Sequence, residues 1–167
     1  MLKILPALAA AGCTVGGGTP GYEPPQPIAF SHAQHAGELQ IDCLHCHFGA
    51  ETSRHAGVPP ANVCMNCHTQ AKKDSPEIAK LRDAISSGRP IQWVKVHSLP
   101  DFAYFNHARH VGAGVACASC HGAVETMVRV RQEPAMTMGW CLDCHRTTAQ
   151  AATARLDPPR DCAACHY

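Results

Sequence analysis

Aromatic residues are scarce in this chain, at 5% of 167 residues. Large side chains for a core are therefore few, and 13 glycines with 13 prolines interrupt long elements. Charge of one sign is missing as well. Fourteen Lys and Arg stand against 13 Asp and Glu, a formal net charge of +1 with His neutral. Without a basic stripe or an acidic block, nucleic acid is an unsuitable partner. No apolar run is long enough to span a bilayer as it stands. Cysteine and histidine are what the chain has in excess, 11 and 12 residues. A polypeptide with so little core material needs staples: disulfides, metals or large cofactors.

The start, "MLKILPALAAAGC", has one early cation, a short apolar run and small residues before Cys13. It reads as an export or lipoprotein-type signal over residues 1–13, with Cys13 as lipid acceptor. A truncated membrane segment is the other reading. Residues 14–28 read as a Gly/Pro linker, so the folded domain is expected over 29–167, on the periplasmic side of a bacterial inner membrane.

Ten of the cysteines fall into five copies of one unit: Cys43-Leu-His-Cys46-His47, Cys64-Met-Asn-Cys67-His68, Cys117-Ala-Ser-Cys120-His121, Cys141-Leu-Asp-Cys144-His145 and Cys162-Ala-Ala-Cys165-His166. C-x-x-C-H is the attachment signature of c-type haem. Two intervening residues let both thiols reach the vinyl groups on one porphyrin edge, forming two thioether bonds. The next residue projects over the ring, where its imidazole binds the iron axially. A tetrahedral zinc site needs a second pair of ligands elsewhere and no adjacent histidine. A disulfide framework gives no reason for a histidine after every second cysteine. The expectation is five covalent haems c, with His47, His68, His121, His145 and His166 as proximal ligands.

The sixth ligand separates a wire from an enzyme, because an iron with both axial positions filled passes electrons and an open iron binds substrate. Seven other histidines are available: His32, His35, His45, His55, His97, His107 and His110. Phe30-Ser-His32-Ala-Gln-His35 and Phe105-Asn-His107-Ala-Arg-His110 are repeats, each followed by two of the motifs. This defines two di-haem modules, at about 30–70 and 105–148, plus the C-terminal motif. Histidines three apart share a helix face and can serve two neighbouring haems, with Phe30 and Phe105 packing on porphyrin. His55 and His97 are further candidates, while His45 reads as a surface residue. The second module has Gln132 where the first has His55, and it has Met136 and Met138 before Cys141. A thioether ligand raises a haem's potential. Met138, or Met136, is thus a candidate sixth ligand for one haem, with simple packing against a ring as the alternative.

The stretch from "FSHAQHAGELQIDCLHCHFGAE" through "IQWVKVHSLPDFAYFNHARHV" and "TMGWCLDCHR" to "CAACHY" resembles the pentahaem cytochrome subunit of alternative complex III, a bacterial quinol:electron-acceptor oxidoreductase. The wider group is the class III multihaem cytochromes. The resemblance implies that His32 and His107 serve the haems of their local motifs and that His35 and His110 reach other haems. It also implies partners: membrane quinol-oxidising subunits, an iron–sulfur subunit and a monohaem cytochrome c.

The expected fold is mainly α and irregular, a class III-like multihaem cytochrome with little regular secondary structure, wrapped around five haems that supply the missing apolar area. One regular helix is expected, capped by Ser75, opened by Pro76 and stopped by Gly88, with Ile78, Leu81 and Ile85 on one face. The expected function is electron transfer without bond-making chemistry. A multihaem reductase with an open iron, or a free periplasmic carrier, are the rivals.

Overall fold

The computed structural model describes residues 19–150 and 157–167. The expected signal over 1–13, Cys13 and the first linker residues lie outside them. Among the described residues there is no strand, and the helices are short. A π-helical turn spans Ala33–Glu38, followed by α1 (Cys43–Cys46), α2 (Gly49–Thr52), α3 (Ala61–His68), α4 (Pro76–Ser87), α5 (His107–Gly112), α6 (Ala118–His121) and α7 (Met138–Gln150). Two 3₁₀ turns, Val124–Thr126 and Cys162–Ala164, complete the set. The architecture is the irregular, partly helical one anticipated from the composition.

Helix α4 forms for local reasons. The Ser75 side chain accepts from the Glu77 backbone N–H, Pro76 occupies the first turn, and Gly88 takes a left-handed φ of 65° that ends the helix. Ile78 and Leu81 are buried and meet Ile28, with Ala61, Cys64, Met65, Ile91 and Trp93 packed around them. Ile85 on the same face is 47% exposed. It rims a groove with Val58, Pro60, Ile91 and Trp93, because the loop 58–60 does not close over the last turn of the helix.

Residues 19–28 were expected to be linker, yet they are tied across the fold. Gly21 donates to the Gln132 carbonyl at 2.7 Å, and the Gln132 N–H donates to Tyr22 at 3.0 Å. The Gln26 amide brackets the backbone of Val94 on both sides, each bond 2.9 Å. Such contacts run through backbone and amide groups and leave no apolar period in the sequence.

The repeat is visible in three dimensions. The π-helical turn in the first module and α5 in the second carry the paired histidines, and α1, α3, α6 and α7 carry motifs one to four. Segment 53–54, which follows α2, joins the modules. The Arg54 and Ser53 carbonyls accept from the N–H groups of His107 and Ala108 at 3.2 and 3.1 Å.

Candidate functional site

Each motif folds into a helical turn, which places its three functional side chains together. The N–H of His47 donates to the Cys43 carbonyl at 2.9 Å, that of His121 to Cys117 at 3.0 Å, and that of His166 to Cys162 at 2.9 Å. Residues three and four apart on a helix share a face, so both thiols and the following imidazole point the same way. Asp42 and Asp161 cap two of these turns by accepting from the N–H groups of Leu44 and Ala164. The ten motif cysteines are exposed or half-buried, and no disulfide joins them. Burial pushes the thiols of Cys43, Cys46, Cys64, Cys120 and Cys141 upward, and neighbouring thiols add to this.

The histidines are held in a common way. Nδ1 of His47 donates to the Gly57 carbonyl at 2.7 Å, that of His68 to Ala71 at 2.8 Å, that of His145 to Pro159 at 2.6 Å and that of His166 to Phe102 at 2.7 Å. On the paired histidines, Nδ1 of His35 donates to Ser31, that of His110 to Asn106, both at 2.8 Å, and that of His107 to Arg54 at 2.9 Å. A carbonyl can only accept, so in these seven rings the proton sits on Nδ1 and Nε2 carries the free lone pair. Metal-binding histidines are fixed in this way. These carbonyls escape a motif search, since any residue can supply one. Gly57, with φ of 73°, is the exception that leaves a mark, as a glycine before two prolines.

The rings then face each other in pairs. His32 and His47 have centroids 6.4 Å apart with planes 6° from parallel, and His107 and His121 are 6.3 Å apart at 9°. His35 and His68 are 6.1 Å apart, and His110 and His145 are 6.0 Å apart, with tilted planes. Two imidazole nitrogens each ~2 Å from one metal ion, with a further ~1 Å from each nitrogen to its ring centre, give a separation of about 6 Å. Among the described residues no three His, Cys, Asp or Glu side chains converge as a metal cluster. The donors therefore come as facing pairs with open equatorial positions, an arrangement that fits a planar ring ligand and not a tetrahedral ion. Burial pushes His32 and His121 down to about 4, helped by neighbouring imidazoles, so both rings are neutral at physiological pH. Nδ1 of His32 and Nε2 of His97 are buried without partners.

Other candidates are placed differently. Phe30 and Phe105 lie on the imidazoles of their own motif. Each stacks on the second histidine at 4.3 Å and meets the first edge-on at 4.8 Å. The short FxHxxH turn brings these three rings together before any other surface is within reach. His45 and His55 are exposed. His97 is half-buried and lies edge-on to His121 at 4.4 Å, too close to share a metal ion with it across a ring. Met138 is 66% exposed at the start of α7, and it is His110 that faces His145. His166 has Phe102 as its ring neighbour, at 5.9 Å.

Residues 103–167 match the family of cytochrome c7 and related cytochrome c. A curated relative, the multihaem cytochrome c subunit of menaquinone reductase from Nitratidesulfovibrio vulgaris, is 34% identical over 97 residues, 58% of this chain. The chain spans 45% of that relative's length. Within residues 103–167, facing imidazoles and clustered thiols accompany the similarity to cytochrome c7. The relative belongs to a menaquinone reductase and not to alternative complex III, so the kinship reaches the multihaem class without selecting that complex.

Proposed function

We propose that this chain is an electron-relay subunit carrying five covalent haems c, docked to a membrane complex that reacts with a menaquinone-type quinone. Haem supplies a one-electron iron couple. The chain's own residues attach the ring through Cys43 and Cys46, Cys64 and Cys67, Cys117 and Cys120, Cys141 and Cys144, and Cys162 and Cys165. His47, His68, His121, His145 and His166 are the proximal ligands. The observation that carries the reading is the four facing imidazole pairs at 6.0–6.4 Å. On this reading His32, His35, His107 and His110 are the sixth ligands of motifs one, two, three and four. Among the described residues no second imidazole faces His166, whose ring neighbour is Phe102. Met138, His55 and His97 are left outside the set of pairs.

If the facing imidazoles hold the irons from both sides, four irons would have no position left for substrate, which favours a relay over a reductase. Its partners are membrane quinone-reacting subunits, an iron–sulfur subunit and a further cytochrome c, on the periplasmic side of the membrane. Among the described residues no helix is long and apolar enough to cross a membrane, and the quinone site belongs to a partner. The name of the relative favours electron flow toward the quinone, opposite to the direction implied by the resemblance to alternative complex III.

Mass spectrometry of the protein from a host with haem c maturation, with a reduced-minus-oxidised visible spectrum, tests this. Five haem masses and a sharp low-spin α band are expected. A colourless protein, or fewer haems, would overturn it. Redox titration then fixes direction: haem potentials below that of menaquinone drive electrons into the quinone.

A further inference from the structure

We propose that the five sites form a single file in the order second, first, third, fourth, fifth, so that electrons enter and leave at the second and fifth motifs. The proposal rests on the five-haem reading and adds an order to it. That order differs from the order of the motifs in the chain.

Contacts among histidines, cysteines and backbone groups give the links. His32 and His35 lie one turn apart and face His47 and His68, so one turn of backbone ties site one to site two. Cys46 also lies within electrostatic reach of Cys64 and Cys67. His107 and His110 do the same for sites three and four through His121 and His145, and Cys120 lies within reach of Cys141 and Cys144.

The join between modules falls at sites one and three. Cys43 and Cys117 lie within electrostatic reach of each other. His107 Nδ1 donates to the carbonyl of Arg54, seven residues beyond His47. His47 also lies within electrostatic reach of His121. The modules therefore meet first motif to first motif, leaving each second motif on the outside.

The fifth motif extends one end. His145 donates to Pro159, three residues before Cys162, and Cys141 lies within reach of Cys165. Tyr104 donates to the Cys165 carbonyl at 2.8 Å, and Tyr104 and Tyr167 stack at 4.4 Å, which pins the C-terminal turn to the segment leading into α5. The Cys64 end carries no such extension; α3 is backed there by α4 and the Ile28 cluster.

Proton NMR of the fully reduced, diamagnetic holoprotein tests the order. Each haem is assigned through the β protons of its own cysteines, and nuclear Overhauser contacts between haems are then mapped. Contacts are expected between two and one, one and three, three and four, and four and five. A contact between two and three, or between two and four, would overturn the file, as would a missing contact between one and three. Mass spectrometry of the same sample counts the haems, so an incomplete set is recognised as failure of the five-haem reading and not of the order.

Discussion

At the scale of the residue, the paired histidines do most of the work. His110 is presented to His145 by its own hydrogen bond to Asn106 and by the stacked ring of Phe105. Replacing His110 by Ala should leave one iron of the holoprotein with a single imidazole. We expect a high-spin signal and carbon monoxide binding that correspond to one additional haem site, read from the reduced-minus-CO spectrum. His110→Met should restore a low-spin iron with a raised potential. If His110→Ala leaves the spectrum unchanged, His110 is not a ligand. Phe105 acts through His110. Phe105→Leu should cost about 1 kcal/mol of stacking and shift the potential of one haem, seen by titration, without opening it.

At the scale of the element, close backbone approaches set the orientation of the imidazoles. A Cβ on Gly49 would lie 2.7 Å from the Ala56 carbonyl and 2.9 Å from that of His55. Gly57, next along, is the acceptor for His47. Gly49→Ala should therefore displace segment 55–57 and loosen the first proximal imidazole, shifting one haem potential while all five haems stay attached. Leu81 is 4% exposed in the cluster behind α3. Leu81→Ala should lower holoprotein stability by about 3 kcal/mol, measured as a shift in denaturation midpoint.

The elements also show what was legible beforehand. Ser75, Pro76 and Gly88 announced α4, because capping chemistry is local. The FxHxxH repeat announced two similar turns, and the structure gives them matching ring geometries. The carbonyl acceptors were hidden, since a backbone oxygen carries no residue signature. The exposure of Ile85 was hidden because periodicity names a face without saying whether a neighbour covers it. The docked segment 19–28 was hidden because its anchors, Gln26 and Gln132, are polar residues whose partners lie far along the chain.

At the scale of the whole molecule, the buried apolar side chains are few: Ile28, Ala50, Ile78, Leu81, Val96 and Met127 among the described residues. So small a set cannot offset the entropy of ordering the chain. Produced without haem attachment, the polypeptide should show weak helical circular dichroism and no cooperative thermal transition. The holoprotein should unfold cooperatively. A sharp transition in the haem-free chain would show that the side chains suffice. Each haem also brings two propionates, so the holoprotein should be far more acidic than its polypeptide. Its binding to a basic redox partner should weaken as salt rises.

The carbonyl clamps on the imidazoles carry one more consequence. A peptide oxygen takes up no proton anywhere near neutral pH, unlike the carboxylate that often supports a metal-bound histidine. Seven of the rings lean on such oxygens. Through these supports, gaining or losing an electron creates no demand for a proton. In the proposed relay, charge would cross the protein while acidity on either side is left to its partners.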